Sequence, residues 1–298
     1  MEYHNPVLLQ ECIAGLNIDP EGVYVDVTFG GGGHSREIIK HLTTGRLFAF
    51  DQDPDAVQNS INDERFVLIQ QNFRYLKNFL RLHKALPIKG ILADLGVSSH
   101  QFDIAERGFS IRFDAPLDMR MDKHAKLSAI NVLSDYSDEQ LKKIFKEYGE
   151  LPNAWKVATE IVKQREFGAI DTVFKLKAAV SSCAPKYKDN QFYAQLFQAI
   201  RIEVNQEIEV LKEFLMQTTE VLDKGGRLVV MSYHSLEDRL VKNFMKKGKF
   251  EGELEKDFFG NPITPFKIIG SKPIVPSEKE VKENSRSRSA KLRIAEKN

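Results

Sequence analysis

Cysteine is scarce. The 298 residues hold two, Cys12 and Cys183, and two isolated thiols suit a reducing compartment better than a disulfide framework. Net charge is scarce as well. Lys and Arg number 43 against 42 Asp and Glu, a formal +1, which argues against indiscriminate attraction to polyanions but permits a local basic face. No apolar run approaches the roughly 18 residues of a membrane span. The start, Met1-Glu-Tyr-His-Asn-Pro6, has neither the basic n-region nor the apolar h-region of a secretory leader. These absences together predict a cytoplasmic protein with no membrane partner. There is no internal repeat and no low-complexity tract. What is present is a 42% apolar fraction, enough for one large domain or two smaller ones.

The first hundred residues alternate strand-like and helix-like patterns. Strands are expected at 23–29, 46–51, 66–69 and 90–96, and helices at 34–42, 54–61 and 73–82. Pro54 suits the first turn of the second helix. Such alternation predicts a parallel sheet covered on both faces. The pattern then changes. Residues 103–125 have no clear period, and 128–199 read almost wholly as helix. Ser137-Asp-Glu-Gln140 is a capping box heading a helix over 141–148, and further helices are expected at 154–165 and 172–182. An amphipathic helix is expected over 203–222, stopped by Lys224-Gly-Gly226. A strand at 227–233, a helix at 236–247 and tail strands at 266–269 and 291–295 complete the reading. The predicted organisation is an α/β domain, 1–110 with 203–298, interrupted by an all-helical insert over 111–202. Leaving after the fourth strand, the insert would overhang the C-terminal strand edge, where open α/β sheets bind ligands.

Asp26-Val-Thr-Phe-Gly30-Gly-Gly-Gly33-His34 runs from a strand through four glycines into a helix. Glycine lets the chain turn tightly and lets a ligand approach the main chain. The next strand ends in Asp51, about twenty residues on, where an acid accepts hydrogen bonds from ribose hydroxyls. Spacing and order favour a nucleoside-binding hairpin over a structural glycine turn with Asp51 as a solvated cap. Asp26, upstream of the glycines, is placed to meet the amino group of a methionine moiety, which favours S-adenosylmethionine over NAD. Asp94 ends the fourth strand at the same edge, facing the reactive end of the cofactor or the substrate, or else capping a helix. No Cys or carboxylate cluster with metal-ligand spacing surrounds His34 or His234, so no metal is expected. His34 is placed against the cofactor at the helix start, and Tyr233 and His234 end the fifth strand beside the same crevice, where either could meet a substrate. Pro116 to Asp122 alternates apolar and charged residues, as an edge with one buried face or as a ligand loop. Lys142, Lys143 and Lys146, and the run Arg286, Arg288, Lys291 and Arg293, read as solvated faces unless both border the crevice.

Several longer blocks resemble the MraW/RsmH family. They are His4-Asn-Pro-Val-Leu-Leu9, Thr28-Phe-Gly-Gly-Gly-Gly-His-Ser35, Asp94-Leu-Gly-Val-Ser-Ser99 and Ala105-Glu-Arg-Gly-Phe-Ser110. Pro116-Leu-Asp-Met-Arg-Met-Asp122, Phe197-Gln-Ala-Ile-Arg-Ile-Glu-Val-Asn205, Ser232-Tyr-His-Ser-Leu-Glu-Asp-Arg239 and Leu292-Arg-Ile-Ala-Glu296 continue the match in the family's order. The resemblance implies methylation of the exocyclic amine (N4) of one cytidine in the decoding region of 16S ribosomal RNA, within the small subunit. It implies a Rossmann-like methyltransferase sheet with an inserted helical domain, and S-adenosylmethionine as cofactor. Cofactor contacts are implied at Gly32, Gly33, His34, Asp51, Phe73, Asp94 and Gln101. For catalysis, Asp94 is the candidate for positioning the amine, with His234 as a second candidate. The target base must leave its stack to be reached. A nicotinamide-dependent oxidoreductase and an RNA-binding assembly factor without turnover are the rival readings.

Overall fold

The computed structural model describes residues 6–298, so His4 and Asn5 of the first family block lie outside the described residues. Helix α1 (Leu9–Leu16) leads into strand β1 (Val23–Asp26), α2 (Gly33–Lys40), β2 (Arg46–Phe50), β3 (Phe66–Ile69), α3 (Leu76–Leu82) and β4 (Ile88–Asp94). Six helices follow: α4 (Ser99–Asp103), α5 (Ala129–Asp135), α6 (Asp138–Glu147), α7 (Ala154–Arg165), α8 (Val173–Ala179) and α9 (Asp189–Asn205). The chain closes with α10 (Glu207–Val221), β5 (Leu222–Ser232), α11 (Ser235–Lys247), β6 (Phe266–Ile274), α12 (Glu278–Glu283) and β7 (Lys291–Lys297).

The strands form one seven-stranded sheet in the order β3-β2-β1-β4-β5-β7-β6. The first five are parallel, as the alternation of strand and helix predicts. The tail strands add an antiparallel edge, β7 on β5 and β6 on β7. Side chains alternate between two apolar cores. Phe48, Phe50, Ile91, Ala93, Leu228 and Val230 face one, with Phe214; Leu47, Ala49, Leu92, Val229 and Met231 face the other. Period-two burial on both faces is why these strands read as unbroken apolar runs. Sheet building reverses between β1 and β4, so the crevice beyond their carboxyl ends is the natural ligand position.

Two compact units divide the chain, Met1–Gly96 with Ile208–Asn298, and Val97–Glu207. Both joints fall away from the expected 110/111 and 202/203. The first comes earlier because Val97, Phe102 and Phe109 pack into the helical core with Leu117, Met119 and Met121. That packing also assigns the apolar residues of the 116–122 run to the core. The second joint comes later because α9 runs on to Asn205. The single helix expected over 203–222 is in fact two. Gln206 takes a left-handed conformation at φ 51°, and the Arg201 guanidinium spans the break to both carboxylate oxygens of Glu207 at 2.8 and 2.9 Å. Asn205 at the break donates to the Met119 carbonyl and accepts from the Met121 amide, each at 2.8 Å.

Local signals explain other boundaries. The Ser137 hydroxyl accepts from the Gln140 amide at 3.3 Å and the Gln140 side chain accepts from the Ser137 amide at 2.9 Å. This box starts α6 at Asp138, and Leu141, Ile144 and Phe145 form its buried stripe. The helix expected at 54–61 is instead a tight 3-10 turn over Pro54–Asn59, capped by Asp53. Six residues form too few backbone bonds to hold an α-helix without more packing than buried Ala56 provides.

Phe214 is fully buried and meets the ring of Phe73 edge-on, centroids 5.3 Å apart. Phe214→Ala should destabilise the sheet unit by about 3–5 kcal/mol. Urea unfolding followed by tryptophan-independent circular dichroism checks this, and a midpoint equal to wild type would refute the core assignment.

Candidate cofactor and substrate site

Three acidic side chains arrive together because β1, β2 and β4 end at one sheet edge. Their roles differ. Asp26 is 1% exposed and accepts from the Ser35 hydroxyl at 2.6 Å and the Thr28 amide at 3.1 Å. It braces the glycine loop from below, which corrects the expectation that it meets a ligand amine. Burial pushes its carboxyl above the ordinary range, with the Ser35 bond pulling the other way. Thr28 extends the brace, its hydroxyl accepting from the Asp94 amide at 2.7 Å.

The loop itself needs glycine. Gly32 sits at φ +75°, and a Cβ there would lie 2.8 Å from the Phe29 ring. A Cβ on Gly33 would lie 2.3 Å from Cγ of Pro6. Gly32 caps α2 without any side-chain bond, leaving first-turn amides at a helix end that favours negative or electron-rich groups.

Asp51 follows β2 and accepts from the Gly30 amide at 2.7 Å and the Asp53 amide at 2.8 Å. Its carboxylate thus ties the glycine loop to the next strand's exit. Burial raises its pKa to about 6, against those two amide bonds. Beyond it, Gln52 accepts from the Asn72 side chain at 2.7 Å, which links the exits of β2 and β3. Asn72 also caps the short turn that carries Phe73. The sequence cue for this link is an Asn one residue before the aromatic. Phe73 packs one edge on Phe214 and stays half-buried.

Asp94 is partly exposed, its side chain 24% accessible. The Tyr233 hydroxyl donates to Oδ1 at 2.8 Å, and His34 Nδ1 lies 3.9 Å from Oδ2. Burial raises its pKa to about 6; His34 and Tyr233 oppose the rise, while Asp26 and Glu237 add to it. The Tyr233 phenol is itself pushed up by burial and by Asp94, so it remains a donor at neutral pH. His34 is buried, with Nε2 3.1 Å from the Val7 carbonyl. That partner requires a proton on Nε2 and leaves Nδ1 toward Asp94. His234 caps α11, and its Nε2 lies 3.1 Å from Glu237. Glu237 in turn accepts from the Tyr233 amide at 3.0 Å, so this pair holds the end of β5 in place.

Gly32, Gly33, His34, Asp51, Phe73, Asp94 and His234 all belong to the sheet unit; Gln101 belongs to the helical unit. There it completes a capping box with Ser98, donating its amide to the Ser98 hydroxyl at 3.2 Å and accepting from the Ser98 amide at 3.1 Å. Of the tail cations, Arg293 donates to Asp238 at 2.6 and 3.2 Å and Lys291 lies 3.5 Å from it, which spends part of that basic run on a structural pair.

Chemically, the donors to all three acids are amides and hydroxyls, not guanidinium or ammonium groups. Such an edge gains by taking up a cation, and a sulfonium or an amine satisfies that demand.

A sequence model of the MraW methylase family matches residues 1–298. Ribosomal RNA small subunit methyltransferase H of Flavobacterium johnsoniae is 58% identical over 298 residues, covering 100% of this chain and 98% of that one. The protein of the same name in Flavobacterium psychrophilum is 60% identical over 291 residues, 97% of this chain and 100% of its own. That of Bacteroides thetaiotaomicron is 55% identical over 298 residues, 100% of this chain and 98% of its own.

The raised pKa of Asp94 has a consequence for stability. Its folded value, about 6, lies above the unfolded value of about 3.9, so the folded chain binds more protons across that window and loses stability as pH rises through it. Asp94→Asn keeps an acceptor for Tyr233 and removes the charge. The ligand-free variant should gain roughly 3 kcal/mol over wild type at pH 7.5, and most of that gain should disappear near pH 4. Denaturation midpoints at both pH values measure it; a difference independent of pH would contradict a buried, raised carboxyl.

Proposed function

Because the chain belongs to the MraW methylase family, we propose that it transfers a methyl group to the exocyclic amine (N4) of a cytidine in the decoding region of 16S ribosomal RNA. The methyl donor is S-adenosylmethionine. The observation that carries the reading is the acid-lined strand edge, with Asp94 open and oriented by Tyr233. The natural names of the three relatives supply the ribosomal substrate class.

The residues present fit such a cofactor. Gly32 and Gly33 let the loop pack its main chain tightly against Phe29 and Pro6, and the first-turn amides of α2 are left without a side-chain cap, an end that favours electron-rich groups of a ligand. Asp51 has lone pairs beyond its two amide bonds for ribose hydroxyls. Phe73 offers the half-buried ring face for adenine, and Asp94 offers negative charge to the sulfonium end. When bound, S-adenosylmethionine supplies an electrophilic methyl on a positively charged sulfur.

The rest of the task falls to this chain's own groups. A cytosine amine is a poor nucleophile because its lone pair conjugates with the ring. An acceptor on one amine hydrogen turns that lone pair toward the methyl group, and positioning of this kind supplies much of the barrier reduction in a direct displacement. Asp94 Oδ2 is that acceptor in this reading. Tyr233 fixes the carboxylate through Oδ1, and His34, held by Val7, limits its rotation from the other side. A carboxylate with a pKa near 6 is also basic enough to take the proton that the methylated amine releases. His234 serves as the positioning group for Glu237 and Tyr233. The helical unit, 97–207, supplies RNA recognition, and the reaction takes place in the cytoplasm on the small subunit. Among the described residues no helix is long and apolar enough to cross a membrane.

Two experiments test this. Asp51→Ala should weaken S-adenosylmethionine binding by on the order of 1.5–3 kcal/mol, as expected for hydrogen bonds to a charged group. Calorimetry with the folded variant reads it, and unchanged affinity removes Asp51 from the cofactor site. Purified chain with labelled cofactor should label unmodified small subunits at a single cytidine and label short RNA poorly, since a net charge of +1 gives little long-range pull. Nuclease digestion and mass spectrometry should place the methyl group on the exocyclic amine; methyl on ring carbon, ribose or protein would overturn the substrate assignment.

A further inference from the structure

The helical unit has a hollow of its own. It measures about 160 Å³ and is lined by Tyr136, Gln140, Lys143, Ile144, Tyr148 and Glu203. A cavity of about 150 Å³ is known to accept a benzene ring, so the space suits one planar ring. Its chemistry is mixed in a particular way. Ile144 is buried and gives an apolar floor, while Tyr136 and Tyr148 are half-buried aromatic walls packed on the unit's core. The Tyr136 hydroxyl donates to Glu203 Oε1 at 2.6 Å. Burial and that carboxylate push the Tyr136 phenol above its ordinary value, so it stays a donor. Gln140 spends its carbonyl on the Ser137 amide at 2.9 Å, so its NH₂ group is the end that remains to donate. Lys143 is exposed at the rim, with Lys142 and Lys146 exposed on the same helix.

A helix contact made only for stability does not require this set. Elsewhere in the same core, α6 and α9 supply Phe145, Leu196 and Ile200, which carry no polar atoms to satisfy. Aromatic walls, a carboxylate acceptor beside an amide donor, and an ammonium at the rim complement a nucleotide. Unstacked bases of RNA are bound by ring faces and by hydrogen bonds along their edges, where donors and acceptors stand side by side, and a lysine takes the phosphate. We propose that this hollow binds one unpaired nucleobase of the substrate RNA, at a nucleotide other than the one methylated at the strand edge, with Lys143 on its phosphate. The inference rests on the RNA-methyltransferase reading above and adds a second nucleotide site to it.

The test uses the full chain and unmodified small subunits. Ultraviolet cross-linking followed by peptide mass spectrometry should find RNA attached at Tyr136 or Tyr148. Glu203→Gln and Tyr136→Phe change no side-chain volume of consequence, and thermal unfolding verifies their fold. Each should weaken RNA binding at fixed salt by roughly fivefold or more, a loss of about 1 kcal/mol, without altering the salt dependence. Lys143→Gln should instead flatten the log–log salt slope by about 0.7–0.9. Cross-links confined to other peptides, or wild-type affinity in both the Glu203 and Tyr136 variants, overturn the proposal. Methyl transfer to the same subunits separates the two readings. Transfer that persists beside either of those results rejects the hollow alone, whereas a chain that neither binds nor methylates the RNA rejects both.

Discussion

Carboxylates are costly to take out of water, and this fold takes out three at once where β1, β2 and β4 end. Only neutral donors meet them. Asp26 is buried against Ser35 and Thr28, and Asp51 takes one amide bond on each oxygen, from Gly30 and Asp53. Those bonds do structural work, because each one pins a turn of the ligand-binding edge. Asp94 is left with one phenol donor and an imidazole nearly 4 Å away, so it carries the largest unmet demand for positive charge. The shape of the glycine loop, the exit of β2 and the orientation of Tyr233 all follow from how these three charges are accommodated.

The same constraint separates groups whose bonds are already made from groups with acceptor capacity left. At the head of α11 the Glu237 amide donates to His234 Nδ1 at 3.5 Å, and the Glu237 carboxylate accepts from the Tyr233 amide. His34 is spoken for by Val7. The groups with capacity to spare are Asp94, the outer lone pairs of Asp51 and the half-buried face of Phe73. In the proposed reaction, chemistry concentrates on these few groups inside a shell of hydrogen-bonded supports, as geometric precision requires.

In the helical unit the balance differs. Its core is continuous and apolar from Phe109 to Val204, and polar residues inside it act as joints. Asn205 and the Arg201–Glu207 pair hold the break between α9 and α10. Tyr136 and Glu203 tie the linker between α5 and α6 to α9, and they also line a hollow.

Much of this was legible in the chain itself. Strand and helix periods, the four glycines and the strand-ending acids Asp51 and Asp94 depend on local sequence, since a strand's pattern and a turn's φ demands are written within a few residues. The capping box at Ser137 is equally local, and so were the parallel order and the family blocks. Other features depended on contacts between residues far apart. The identical residue type at Asp26, Asp51 and Asp94 hides three roles that differ only in which donors arrive: Ser35, Gly30 and Tyr233 lie 9, 21 and 139 positions from their acids. The break at Gln206 was invisible to a helical period that continues through it, because a distant loop and a side-chain bridge stabilise the left-handed residue. Gln101 carries the same residue whether it caps a helix or meets a cofactor, and its bonds to Ser98 exist only in the folded unit. By itself the sequence determined the elements, their order and the chemical types at the strand ends. Tertiary structure alone decided which of those groups are already satisfied, because burial and hydrogen-bond partners are properties of the packed chain and not of its local pattern.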